Sequence, residues 1–239
     1  MGLSKKEKSE RQERSIISII KDYASLHNPI SIKGKFCLIK KIIGAEKYTK
    51  LTVDNKEPLT DIQLLTKNKK YNISAKGEEA PTLGGGGLFG LSKLQPKLVS
   101  SFLNEADSWY QTKGFKKGDY GLPDTFYKIN KRYIQKIMIG NEGLGGPIDY
   151  MYVGPMDVSH EFSDNTLIFN GNFIPIDTYS NQCSFYFRLR KRRKDVHFLP
   201  NEKDENGFPY IFSKSPSKGA WGRRITVTND LPNVCNILN

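Results

Sequence analysis

Asp61, Ser74 and Lys76 are the residues whose types and spacing could do chemistry. DIQLL (61–65) and YNISAKG (71–77) read as two strands joined by a hairpin turn at KNKK (67–70). In a strand, residues i and i+2 share a face, so Ser74 and Lys76 project together and Ala75 points away. A turn centred at 68–69 pairs Asp61 with Lys76, which puts a carboxylate, a hydroxyl and an ammonium within about 5 Å, one strand spacing. Phosphodiester hydrolysis uses such a set. A carboxylate holds a metal that neutralises charge on the transferring phosphate and activates water, and Mg²⁺ (or Mn²⁺) keeps several waters, so one or two carboxylates suffice. Asp61 is the expected principal ligand. Lys76 would orient or deprotonate the attacking water, or stabilise charge on the phosphate. The bland reading of the same residues is a surface hairpin with a cross-strand Asp–Lys pair, worth little in water.

The elements that must position these residues follow from the pattern of apolar positions. A helix is expected from about Ser9 to Leu26, with Ile16, Ile17, Ile19, Ile20, Tyr23 and Ala24 on a 3.6-period face, closed by Asn28-Pro29. Glu13 lies one turn before Ile17, along the apolar edge. Strands are expected at FCLIKKIIG (36–44), YTKLTV (48–53), DIQLL and YNISAKG. The four glycines at 84–87 demand a loop, which is entropically costly and suits close approach to a phosphate or a lid. A second helix is expected over 94–111 and a third over 124–140. EGLGGP (142–147) reads as a turn or as a loop closing on substrate, and the last third is β-rich. The order predicts an α/β (α+β) protein with one mixed central sheet flanked by helices and a β-rich C-terminal part.

This arrangement resembles the PD-(D/E)XK nuclease superfamily, whose motif is an aspartate opening one strand and an acidic residue, any residue, then lysine in the next. Here Pro58 precedes Asp61 by three positions rather than one, and Ser74 stands at the second acidic position. A serine there goes, in that family, with a glutamate supplied from elsewhere. The resemblance covers residues 9–111 of the 239. It implies a restriction-endonuclease-like core of helix, three-stranded meander, helix and further strand, with the Ala75 backbone carbonyl as another metal ligand. It also implies a glutamate from the first helix, which makes Glu13 the leading second carboxylate. Glu46, Glu57, Glu78 and Glu79 are its competitors, and Glu78 shares a face with Lys76 if the strand runs past Gly77. The implied organisation is a nuclease core over 1–111, and a remainder over 112–239 that completes the core and recognises DNA, with one continuous domain as the alternative.

Charge agrees with a polyanionic partner. The chain carries 37 lysines and arginines against 25 aspartates and glutamates, a net +12, and each neutralised phosphate releases counterions. RLRKRRK (188–194) is the densest run. In an extended strand Arg188, Arg190, Arg192 and Lys194 share one face, with Lys191 and Arg193 opposite. A ribbon of this kind can enter a DNA groove, where arginine reads guanine bidentately; the alternative is a solvated or localisation-type run. Lys218, Arg223 and Arg224 around Trp221 suit backbone contact with stacking. His27, His160 and His197 lie in unrelated contexts and are read as structural. Three scattered cysteines without a CxxC pair point to a reducing compartment and exclude a disulfide scaffold or zinc ribbon. No run of 18 apolar residues occurs, so no membrane span is expected.

The sequence therefore leads to a metal-dependent endonuclease acting on double-stranded DNA in the cytoplasm of a bacterial or phage-infected cell. A homodimer is a further implication, since cutting two strands often uses two copies of one site. The rival classes are a non-catalytic nucleic-acid-binding protein and a virion component, in either of which the Asp61–Lys76 pair is structural.

Overall fold

The structure, a computed structural model, describes residues 4–53, 55, 57–78, 96–97, 100–101, 124–128, 139–182, 185–189, 223–227 and 235–238. The chain is mixed α+β and divides into two compact units: Met1–Gly86 with Gln135–Cys183, and Gly87–Ile134 with Ser184–Asn239. The boundary expected at 111 falls inside the second unit's first segment.

The first unit opens with helix α1 (Lys5–His27). It begins four residues earlier than the apolar period suggests because Ser4 and Glu7 form a capping box. The Ser4 hydroxyl accepts from the Glu7 amide at 3.3 Å, and the Glu7 carboxylate accepts from the Ser4 amide at 2.7 Å. Asn28 ends the helix in extended conformation, as a residue before proline prefers.

Strands β1 (Ile30–Gly34) and β2 (Cys37–Ile42) form a hairpin. β3 (Gly44–Lys47), β4 (Ile62–Leu65) and β5 (Lys70–Gly77) form an antiparallel meander. After a 3-10 turn at Glu142–Leu144 come β7 (Tyr150–Gly154), β8 (His160–Ser163), β9 (Thr166–Phe169), β10 (Asn172–Pro175) and the short helix α2 (Ile176–Gln182). β7 lies parallel to β5, so the five-stranded sheet runs β10-β7-β5-β4-β3 with the meander's last strand at its centre. A four-stranded sheet, β2-β1-β9-β8, completes the unit.

α1 packs on the five-stranded sheet. Ile16, Ile20 and Ala24 are buried in one cluster with Ala45, Ile62, Leu64, Ile73, Ala75, Tyr152 and Phe173. The rings of Tyr23, His27 and Phe162 stack beside it, with His160 edge-on to Tyr23, so two of the three histidines are packing groups.

In the second unit, β6 (Asp124–Lys128), β11 (Phe185–Leu189), β12 (Arg223–Val227) and β13 (Cys235–Leu238) make a sheet of order β12-β11-β6-β13.

Four expectations need correction. Residues 36–44 hold all of β2 and only the first residue of β3, which belongs to another sheet; Lys41, near the end of β2, sits at a φ of +61°. Residues 48–53 form no strand: the Tyr48 amide donates to the Asp61 carbonyl and the Val53 amide to the Gly143 carbonyl, and Leu51 and Val53 are exposed. The helix expected over 124–140 begins instead as strand β6, whose Thr125-Phe126-Tyr127 run pairs on both sides. The Asp61 register is also shifted, as set out below. Of the helix expected over 94–111, Pro96, Lys97, Ser100 and Ser101 are helical and the rest lies outside the described residues, as do the four glycines.

Candidate active site

The hairpin turn fixes where Asp61 stands. Thr66 closes it: the Thr66 amide donates to the Lys69 carbonyl at 3.0 Å, and the Thr66 hydroxyl accepts from the Asn68 and Lys69 amides. With the turn at 66–69 rather than 67–70, Ile62 pairs with Ile73 and Leu65 with Lys70. Asp61 therefore comes opposite Ser74, not Lys76. The expected grouping forms nonetheless, because the carboxylate reaches along β5. Asp61 Oδ2 accepts from the Ala75 amide at 2.7 Å, the Ser74 hydroxyl at 3.2 Å and Lys76 Nζ at 3.2 Å. Lys76 Nζ also donates to the Ala75 carbonyl at 2.9 Å.

The Asp61 backbone is held from both directions. Its amide donates to the Ile73 carbonyl at 2.9 Å and its carbonyl accepts from Tyr48 at 3.1 Å. The preceding segment rests on the EGLGGP turn: the Leu59 amide donates to the Leu144 carbonyl, and the Thr60 hydroxyl to the Gly145 carbonyl. Gly145 sits at a φ of +75°, where a Cβ would fall 2.5 Å from the Pro58 Cβ. That stretch is thus a tight turn supporting the Asp61 segment.

α1 brings the second carboxylate. Gln12, Ile16, Ile20 and Ala24 repeat every four residues and are all buried, and Glu13 adjoins this stripe at 9 % exposure. Burial, and then the nearby Asp61 charge, push the Glu13 carboxyl up to about 6; Lys47 and Lys76 pull the other way. Lys47 Nζ lies 3.6 Å from Glu13 Oε2. Glu13, Asp61 and Lys76 therefore share one electrostatic neighbourhood.

The competitors lie elsewhere. Glu46 is half-exposed and pairs with Lys70 at 2.6 Å. On β3 it alternates with Ala45 and Lys47, the residues that meet α1. Glu78 is exposed past the end of β5, where its charge bears on the Tyr152 hydroxyl. Glu57 is exposed in the loop before Asp61, and Glu79 lies outside the described residues.

No protein family, curated protein or solved structure matches this chain.

The donor set suits a hard cation. No group of three or more His, Cys, Asp or Glu side chains able to hold a metal occurs among the described residues. Two carboxylates and the Ala75 carbonyl would make up the protein's share, all oxygen, as Mg²⁺ prefers. The Lys76 ammonium already bridges Asp61 Oδ2 and the Ala75 carbonyl, two of these three donors, so a positive charge is favoured at that point.

Two residues escaped the sequence reading. Lys47 carries no signal beyond alternation with Ala45. Gln12 does carry one, the four-residue repeat. Its Nε2 donates to the carbonyls of Gly154 (3.0 Å) and Pro155 (2.9 Å), tying α1 to the end of β7. Of the expected DNA-contacting residues, Arg188 lies in β11 and Arg223 and Arg224 in β12, with Arg188 in register with Arg224. Arg190, Arg192, Arg193, Lys194 and Lys218 lie outside the described residues.

Proposed function

We propose that the chain is a metal-dependent DNA endonuclease with a PD-(D/E)XK core, hydrolysing phosphodiester bonds in double-stranded DNA. The observation that carries this reading is the Asp61–Lys76 contact at the centre of a mixed sheet, with buried Glu13 of the first helix near enough for its carboxyl to feel both charges. Two nearby carboxylates, one of them deeply buried, are an unfavourable pair unless cations face them. The helix, the antiparallel meander and the parallel strand β7 beside β5 support it, while most of the helix that the resemblance puts before that strand lies outside the described residues.

In this reading Asp61, Glu13 and the Ala75 carbonyl would hold Mg²⁺ or Mn²⁺, which would supply charge neutralisation at the scissile phosphate. Ser74 anchors the Asp61 carboxylate through its hydroxyl, the work left to a neutral residue at that position. Lys76, which holds Asp61 Oδ2 and the Ala75 carbonyl, would offer its ammonium to the phosphate oxygens or to the attacking water. The basic residues of β11 and β12 would contact DNA, and two copies of the chain would cut the two strands.

A second reading has its own observation. Asp61 Oδ2 already has three donors, and Asp61 and Lys76 are both largely buried, as befits a structural pair in a nucleic-acid-binding or virion protein. Incubation of plasmid DNA with the pure protein separates the two. The nuclease cuts with Mg²⁺ and not with EDTA, and Asp61→Asn and Lys76→Gln each lower the rate by about 10²-fold or more while the fold persists. An intact plasmid under all conditions, with salt-sensitive binding retained, establishes the structural pair.

A further inference from the structure

At the turn end of the meander, away from Asp61, lies a cavity of about 570 Å³. Lys40 and Lys41 of β2 and Lys67 and Lys69 of the hairpin turn line it, over a floor that includes Tyr71. Among the described residues no acidic residue lines it, and Asp149 lies near enough for Lys69 to act on its carboxyl. Lys69 Nζ stands 4.0 Å from the Tyr71 ring centroid. Lys40, Lys41 and Lys67 form no ion pair among the described residues. Four lysines line one cavity, so an anion seated there would be attracted by all four. Part of the arrangement is rigid. The Thr66 hydroxyl locks the turn that carries Lys67 and Lys69, and Lys41 stands at a φ of +61°, uncommon for a residue with a side chain.

We propose that this cavity is a phosphate-binding site for a nucleic-acid backbone. Lysines are hydrated point charges on flexible stems, which suits sequence-independent phosphate contact rather than the fixed fork that recognises one small anion. Spacing fits as well. From Asp61 to Thr66 the chain advances five residues, about 17 Å at strand rise, and a duplex advances the same length in about five base pairs. Both sites therefore fall within one DNA footprint. The choice of nucleic acid rests on the nuclease reading; the cavity and its charges do not.

The test measures duplex binding in EDTA by fluorescence anisotropy over a range of salt, so cleavage plays no part. The pocket variant replaces Lys40, Lys41, Lys67 and Lys69 by glutamine. A charge-matched control replaces the exposed Lys6, Lys8, Lys21 and Lys35. The pocket variant is expected to bind at least about tenfold more weakly, with a salt slope shallower by about 3, as loss of up to four phosphate contacts requires. The control should lose less than about threefold. Equal losses in the two variants overturn the site and leave the nuclease reading intact. Failure of the native protein to bind duplex at low salt overturns both. A nucleoside diphosphate that binds the native protein and not the pocket variant by calorimetry, with duplex binding unchanged, overturns the backbone assignment in favour of a free nucleotide. Unequal losses without any plasmid cleavage keep the site and remove the nuclease.

Discussion

Glu13 is the residue whose charge state reports on the whole cluster. Its carboxyl, pushed up to about 6 by burial and by Asp61, binds a proton more tightly in the folded chain than in the unfolded one, where the ordinary value is 4.5. Stability contributed by that proton is present below 4.5 and is lost as pH rises through about 6, a loss of about 2 kcal/mol without metal. Glu13→Gln removes the loss. In EDTA at pH 8 the variant should melt about 4–8 °C higher than the native protein, with the difference shrinking by pH 4; a lower melting point at pH 8 would sink the assignment. With Mg²⁺ the same variant should lose cleavage, while native cleavage below saturating Mg²⁺ rises tenfold per pH unit up to about 6. Much of this was legible in the sequence. Asp61, Ser74 and Lys76 stood out by strand spacing, and Glu13 because the resemblance implies a glutamate from the first helix and Glu13 lies on its apolar edge. The register was not legible, because KNKK does not say which residue closes the turn; the Thr66 hydroxyl decides it by capping Asn68 and Lys69.

At the scale of elements, the seating of α1 decides whether Glu13 reaches the cluster. Gln12 is the tie, with both amide hydrogens on carbonyls at the end of β7. Gln12→Ala leaves those carbonyls without this partner and should cost about 2–3 kcal/mol in urea unfolding. Cleavage should fall with it, because the N-terminal half of α1 loses its anchor. Unchanged stability would show that Ile16 and Ile20 alone seat the helix. The helix and the hairpin were readable because each repeats a period along the sequence. The break between β2 and β3 was not, since FCLIKKIIG is uniformly strand-like although the chain enters a second sheet at Gly44. Residues 48–53 misled for the opposite reason: Leu51 and Val53 alternate as a strand does, yet their segment is held by Asp61 and Gly143 and leaves both side chains in solvent.

For the molecule as a whole, a net +12 favours a polyanionic partner without placing a contact. The lysines at the hairpin turn and the arginines of β11 and β12 belong to different units, so each is testable by itself. The partners of β5 also set an order of events. Ser74 is neighboured by Met151, and Lys76 by Val153, from a strand that follows more than seventy residues later. At about 5–20 residues per second, a ribosome needs about 4–15 s to travel from Ser74 to Met151. During that time one edge of β5 is bare and Gln12 has no carbonyl to grip. A chain ending at residue 145 should accordingly exchange its β5 amide hydrogens rapidly and cut no DNA, whereas the full chain protects them. On the nuclease reading, such a chain would be born harmless: its cutting edge would be assembled only when most of the polypeptide has left the translation machinery, and a prematurely terminated copy would be inert.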